Sequence, residues 1–167
     1  MTSRTLGVSA AFIDGGLVSG DVRVDDESVV EVGLPAARGG RIAAPGLVDL
    51  QVNGFAGIDI MTADTDGIRA MSRALPAYGV TAWLPTLITA SRADTDRALD
   101  VLARVLRDQE HGSAAASLLG VHLEGPYLSA RRLGTHPPEH RRDPDPAEHE
   151  SWRRRAPVVA TTVAPEL

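Results

Sequence analysis

The stretch Val80–Gln109, "VTAWLPTLITASRADTDRALDVLARVLRDQ", decides how this chain is organised. Its first residues, "VTAWLPTLI", form a run rich in strand formers and read as a strand. Ser91 then stands as an N-cap with Asp94 three residues on, and Leu99, Leu102, Val105 and Leu106 share one helical face. Outward from this strand-helix pair the same rhythm repeats. Upstream, "IAAPGLVDLQVNG" (42–54) is an apolar run ending in polar Gln51 and Asn53. It is followed by "DTDGIRAMSRALPAYG" (64–79), which has Ile68, Met71, Leu75 and Tyr78 at helical intervals and Gly79 placed to close the helix. Downstream come "SLLGVHL" (117–123) as a single strand, "DPAEHESWRRRA" (145–156) as a helix and "PVVATTVA" (157–164) as a further strand. Alternation of this kind predicts right-handed βαβ units and a parallel sheet.

Residues 5–43 read differently. "VSAAFID", "DVRVDD" and "SVVEVG" are short strands broken by Gly and Asp, and the valines at 22, 24, 29, 30 and 32 alternate in part, as in a half-buried antiparallel sheet. A small β layer is therefore expected before residue 44. Between Glu124 and about Asp145 lies a long loop rich in Gly, Pro, His and Arg, of a length that is uncommon in compact domains unless functional. Its "THPPEHRRDPDPAEHE" also has the composition of a disordered linker.

Composition narrows the chemistry. The chain has 167 residues, enough for a real core, with 43% apolar residues and a formal charge of −5. That charge gives no general attraction to nucleic acid or to an anionic membrane, and the basic run Arg153 to Arg155 reads as a solvated helix face. The absence of cysteine excludes disulfides and thiolate ligands within this sequence. All 17 basic residues are arginine, which excludes a lysine Schiff base or carboxylated-lysine metal bridge from this chain. No run reaches the ~20 apolar residues of a membrane span. Asp14 and several glycines interrupt the N-terminal apolar run, so no signal peptide is expected and the cytoplasm is the expected compartment.

In parallel α/β sheets the residues just past the carboxyl ends of strands face the ligand. This singles out Asp49, Gln51, Asn53, Thr86, Glu124 and Glu166. Glu124 carries the most information, because a carboxylate beside a buried strand end must be paired, hydrogen-bonded or metal-bound. Two readings stand open: a structural ion pair with Arg131 or Arg132, or a site carboxylate. His122 reads as a satisfied core or supporting histidine. His136 in "GTH" has the better functional case, since a loop imidazole can donate to a bound substrate. His111, His140 and His149 read as solvated. No two histidines have a metal-ligand spacing, and the amides of Gln51 and Asn53 are weak ligands that suit hydrogen bonding to a ligand or water.

Together "APGLVDLQVNG" (44–54), "GVTAWLPTLIT" (79–89), "GVHLEGPYL" (120–128), "GTHPPEH" (134–140) and "TVAPEL" (162–167) resemble the N-acetylglucosamine-6-phosphate deacetylases of the amidohydrolase superfamily, in their N-terminal portion. The resemblance implies an α/β fold: a partial (β/α) TIM-type barrel of about four βα units over residues 44–167, preceded by strands of a small β-sandwich domain over residues 1–43. It implies Glu124 as a metal ligand, Thr135 and His136 as substrate-binding residues, and Gln51, Asn53 and Thr86 lining the site. Gln51 and Asn53 stand where two-metal relatives carry paired histidines, which implies one divalent ion, zinc or iron-like. The implied reaction is hydrolysis of the acetamide of N-acetylglucosamine 6-phosphate, by Lewis-acid activation of water. The implied partner is the amino-sugar phosphate, with a homodimer when full length.

Family members run to more than twice this length, and their remaining metal ligands, catalytic aspartate and phosphate-binding arginine come later in sequence. The expectation is thus a truncated or fragmentary member, inactive as an isolated monomer. Two other readings are another amidohydrolase branch, which "HLEGP" and the missing H-x-H after "GLVD" oppose, and a non-catalytic binding module that needs a second half.

Overall fold

The computed structural model describes residues 2–26, 28–109 and 114–167. The chain divides into two compact units, Met1–Gly46 and Leu47–Leu167. In the first unit the strands are β1 (Ser3–Thr5), β2 (Ala10–Ile13), β3 (Gly16–Ser19), β4 (Asp21–Asp25), β5 (Ser28–Leu34) and β6 (Ile42–Ala43). They form two three-stranded sheets, ordered β1-β4-β5 and β3-β2-β6. The first sheet is antiparallel, whereas β2 runs antiparallel to β3 and parallel to β6. Val8, Ala11 and Val22 form the core of this unit, with Ile13, Val24 and Ala43 packed against them. The half-buried alternation expected of the valines holds for β4 only. Val29, Val30 and Val32 are exposed, because β5 is an edge strand and so small a sheet covers little.

A buried carboxylate ties the first unit together. Asp21 accepts hydrogen bonds from the backbone N–H groups of Val8 at 3.0 Å, Val22 at 2.8 Å and Gly7 at 3.2 Å. These donors, Val8 first among them, hold its carboxyl below the ordinary aspartate value against the opposing effect of burial.

The second unit carries the strand-helix alternation. Its elements are β7 (Leu47–Val52), β8 (Gly54–Phe55), β9 (Ile58–Asp59), α1 (Thr65–Ala74), β10 (Val80–Ile88), α2 (Arg92–Asp108), β11 (Ser117–Leu118), β12 (Val121–Glu124), α3 (Pro146–Arg155) and β13 (Val158–Thr162). The main sheet runs β7-β10-β12-β13, with every neighbouring pair parallel. "SLLGVHL" is two strands, where the sequence predicts one. β11 pairs with Ala82 and Trp83 of β10, and the chain then breaks at Gly120. At Gly120 φ is +145°, and a Cβ would come 2.7 Å from the carbonyl oxygen of Pro157, so only glycine fits.

Ser91 and Gly79 act as the sequence predicts, and Asp64 supplies a cap that the sequence reading did not single out. Asp64 caps α1 by accepting from the Gly67 N–H at 2.8 Å, and Ser91 caps α2 by accepting from the Asp94 N–H at 3.1 Å. α1 tightens into a 3-10 turn over Leu75–Tyr78 and closes at Gly79 in the left-handed region. Ile68, Met71, Leu99 and Leu102 from the helices meet Trp83, Leu87, Val121 and Leu123 from the sheet in one core. Each fully buried aliphatic side chain contributes about 1.5–3 kcal/mol of transfer free energy. Among the described residues no helix is long and apolar enough to cross a membrane.

The 125–145 segment is an ordered strap, not a linker. Arg142 forms a fork on the buried Glu148 carboxylate at 2.9–3.1 Å and also donates to the carbonyls of Ala90 and His140. Arg92 Nε reaches the same carboxylate at 2.8 Å, and Tyr127 donates to it at 2.9 Å. The Arg142 guanidinium lies over the ring of Trp152. The basic run also departs from expectation. Arg155 is not simply solvated but pairs with Asp96 and Asp100 of α2, since α3 packs against that helix.

Candidate functional site

The carboxyl ends of the four main strands come level. Thr86 stands opposite His122, Ile88 opposite Glu124, and Glu124 opposite Thr162, while Val52 pairs with Pro85 beside them. Side chains alternate along β12, so Val121 and Leu123 enter the helix-facing core, and His122 and Glu124 point to the other face.

At this level Glu124 collects the amides. Gln51 Nε2 donates to its Oε1 at 2.9 Å and Asn53 Nδ2 to its Oε2 at 3.2 Å. Asn53 also donates to the Thr86 carbonyl at 3.4 Å. The Glu124 side chain is 21% exposed, and the nearest imidazole nitrogen, His136 Nε2, is 3.8 Å from Oε1. Neither Arg131 nor Arg132 pairs with it among the described residues. The structural ion pair that the sequence left open is therefore absent, and the carboxylate is held by neutral donors.

Beneath this layer a hydrogen-bonded chain fixes the strand ends. Thr86, fully buried, accepts from the Val52 N–H at 3.1 Å and lies 3.2 Å from both the Leu84 carbonyl and His122 Nδ1. His122 uses both ring nitrogens inside the protein, Nδ1 towards the Leu50 carbonyl at 3.2 Å and Nε2 towards Thr162 Oγ1 at 2.8 Å. A carbonyl only accepts, so Nδ1 carries the hydrogen and Nε2 accepts from the threonine. His122 is thus a support for the strand ends and leaves no free nitrogen for an ion.

His136 arrives from the strap, with its side chain 10% exposed. Its Nδ1 is 3.3 Å from the Thr89 N–H and 2.9 Å from Thr89 Oγ1. Thr135 is exposed beside it. Sequence reasoning missed Thr89, because it took Thr86 as the polar residue ending the run. β10 continues to Ile88, and Thr89 is the first residue past the strand. It missed Thr162 as well. Glu166, chosen in its place, lies beyond the end of β13 and is exposed. Hydrogen bonds from its own backbone and from Ser129 lower the Glu166 carboxyl below its ordinary value. His149, expected in solvent, is partly buried and bonds Thr161 Oγ1 through Nε2 at 3.0 Å. His140 is partly buried too, and His111 lies outside the described residues.

A divalent ion finds one suitable ligand here. Glu124 fits as a carboxylate ligand, but among the described residues no three His, Cys, Asp or Glu groups are arranged to hold an ion. A catalytic zinc-type centre takes three protein ligands, so the donor set in hand is incomplete.

Comparison with known proteins bears directly on this arrangement. The chain is 38% identical over 136 residues to the mouse protein named N-acetylglucosamine-6-phosphate deacetylase, and 37% identical over 128 residues to that of Bacillus subtilis. In sequence and in fold this chain is similar to the amino-terminal part of the N-acetylglucosamine-6-phosphate deacetylases. The matches cover 77% and 75% of this chain but 32% of each relative, so the chain spans about a third of the length of the curated deacetylases it matches. Among solved structures, the deacetylase of Mycobacterium smegmatis, a mutant in complex with N-acetyl-D-glucosamine-6-phosphate, superposes with a TM-score of 0.83 at 30% identity. It covers 99% of this chain and 44% of its own. The Thermotoga maritima deacetylase superposes with a TM-score of 0.70 at 32% identity, covering 88% of this chain and 39% of its own. The fold shared with these deacetylases is α/β, a parallel sheet with small antiparallel sheets. A scan against protein-family models finds no match.

Proposed function

We propose that this chain provides the amino-terminal part of a metal-dependent N-acetylglucosamine-6-phosphate deacetylase site, with Glu124 as one ligand of a single divalent ion. The observation that carries the reading is the state of Glu124. It is a partly buried carboxylate at a strand end, oriented by two amides and, among the described residues, compensated by no arginine. A cation is what such a group lacks. When bound, the ion would supply Lewis-acid activation of water. The residues of this chain do the rest of the local work. Gln51 and Asn53 aim the carboxylate, Thr86 locks the β7 and β10 ends together, and His136 with Thr135 meets the amino-sugar phosphate. The remaining ligands and the proton-transferring group belong to polypeptide outside these residues. A cytoplasmic location belongs to the same reading.

The finer fold belongs to this proposal as well. Neighbours in the sheet follow chain order, β7-β10-β12-β13, with a helix between successive strands. Sequential order suits an arc of a (β/α) barrel, whereas a doubly wound sheet reverses its order. Large apolar side chains stand exposed on both edge strands, Leu47 and Leu50 on β7 at 61% each and Val159 on β13 at 57%. Such exposure suits edges that further strands would cover. On this reading residues 1–43 form the start of the small β-sandwich domain and 44–167 the first half of the barrel.

Co-expression tests the proposal. The chain is produced together with the remaining portion of the Bacillus subtilis relative, and acetate release from N-acetylglucosamine 6-phosphate is assayed with divalent metal. Recovered activity supports the reading. A folded, stoichiometric complex that releases no acetate supports a non-catalytic module instead.

A further inference from the structure

We infer that Thr89 is a positioning residue that holds His136 as the Nε2-protonated tautomer, so that the imidazole presents a hydrogen-bond donor, not a lone pair, towards Glu124. The inference deepens the deacetylase reading, because it concerns the same site, but its warrant is the hydrogen-bond geometry alone.

The Thr89 backbone N–H can only donate, and it points at His136 Nδ1 from 3.3 Å. A hydrogen on Nδ1 would face that hydrogen directly. Thr89 Oγ1, 2.9 Å from the same nitrogen, is free to donate to it. Both contacts therefore favour an unprotonated Nδ1, which leaves the single ring hydrogen of the neutral imidazole on Nε2, 3.8 Å from Glu124 Oε1. Water competes little for these bonds, since Thr89 is 1% exposed. Gly125 makes the approach feasible, because any Cβ there would occupy the space beside the Thr89 hydroxyl. A nitrogen carrying hydrogen cannot ligate an ion, so the tautomer separates the two roles. Glu124 is the ligand, and His136 donates to an oxygen, that of a sugar hydroxyl, an amide carbonyl or a water on Glu124. His122 supplies an internal comparison, because the Leu50 carbonyl puts its hydrogen on Nδ1.

The test is a two-bond 1H–15N correlation spectrum of the histidine-labelled chain, taken at about pH 8 where free imidazole is neutral. His136 signals are assigned by their loss in His136→Gln. The expected result is an Nε2–H pattern for His136 and an Nδ1–H pattern for His122. Thr89→Val, which keeps shape but loses the hydroxyl, raises the Nδ1–H fraction of His136 roughly threefold, and Thr89→Ser restores the native pattern. An Nδ1–H pattern for His136 in the native chain overturns the inference. So does a folded Thr89→Val chain whose pattern is unchanged. If Thr89→Val does not fold, the native pattern and Thr89→Ser still decide. Failure is separable from failure of the deacetylase reading: the tautomer is read without turnover, and an inactive assembly with Nε2–H on His136 leaves this inference standing.

Discussion

Gly125 lies against Thr89 so closely that a Cβ built on it would come 2.3 Å from Thr89 Oγ1. Its φ of +90° is also one that other residues rarely adopt. Gly125→Ala is therefore expected to destabilise the second unit by about 1–3 kcal/mol and to move the His136 ring off Thr89. Urea unfolding followed by tryptophan fluorescence measures the first effect, and the His136 spectrum the second. An unchanged midpoint would remove this contact from the account.

The strap has its own anchor. Glu148, with 2% of its side chain exposed, takes Arg142, Arg92 and the Tyr127 hydroxyl. Burial, and then the carboxylate beside it, push the Tyr127 hydroxyl pKa well up. Glu148→Gln leaves two guanidinium groups without their shared anion and is expected to cost about 2–3 kcal/mol, less than a fully buried pair because Arg92 is largely exposed. Hydrogen exchange should quicken in residues 125–145 before it does in α2. Uniform exchange across both would contradict a local anchor.

Much of this was legible in the sequence because it depends on local chemistry. Gly79 announces the close of the turn that follows α1, and Ser91 the start of α2. The run to Ile88 reads as a strand because strand formers fill it. Glu124 stood out because a carboxylate does not end an apolar run without cause. What the sequence hid is set by pairing register. Nothing in "LIT" places Thr89 beside a histidine 47 positions away, and that Glu124 meets two amides while Arg142 meets Glu148 follows from how the strap folds back on α3. The break at Gly120 was hidden for the same reason, since the close approach of Pro157 is a tertiary fact.

Acid should act on the first unit through Asp21. Its folded pKa lies below the ordinary 3.8, so its stabilising contribution is complete above the unfolded value and is lost as pH falls through the lower folded one. Protection of the Val8 and Val22 amides should therefore decline between about pH 5 and pH 2. In Asp21→Asn it should be weaker at neutral pH and flat over that range. A native-like acid profile in Asp21→Asn would show that another group is responsible.

Gln51 and Asn53 aim Glu124 without carrying charge. Replacing both by alanine should leave the fold intact, since both are exposed, while weakening divalent-ion binding in the complemented assembly by roughly 10- to 100-fold. Isothermal titration with zinc measures the change, and equal affinity would assign the two amides to the strand end alone.

The most direct measurement is metal content and acetate release in the complemented assembly with native Glu124 and with Glu124→Gln. The native assembly is expected to bind one divalent ion per site and to deacetylate N-acetylglucosamine 6-phosphate. Glu124→Gln, equally folded, should lose the ion and roughly 100-fold or more of the rate. Full metal content and full rate in Glu124→Gln would contradict it.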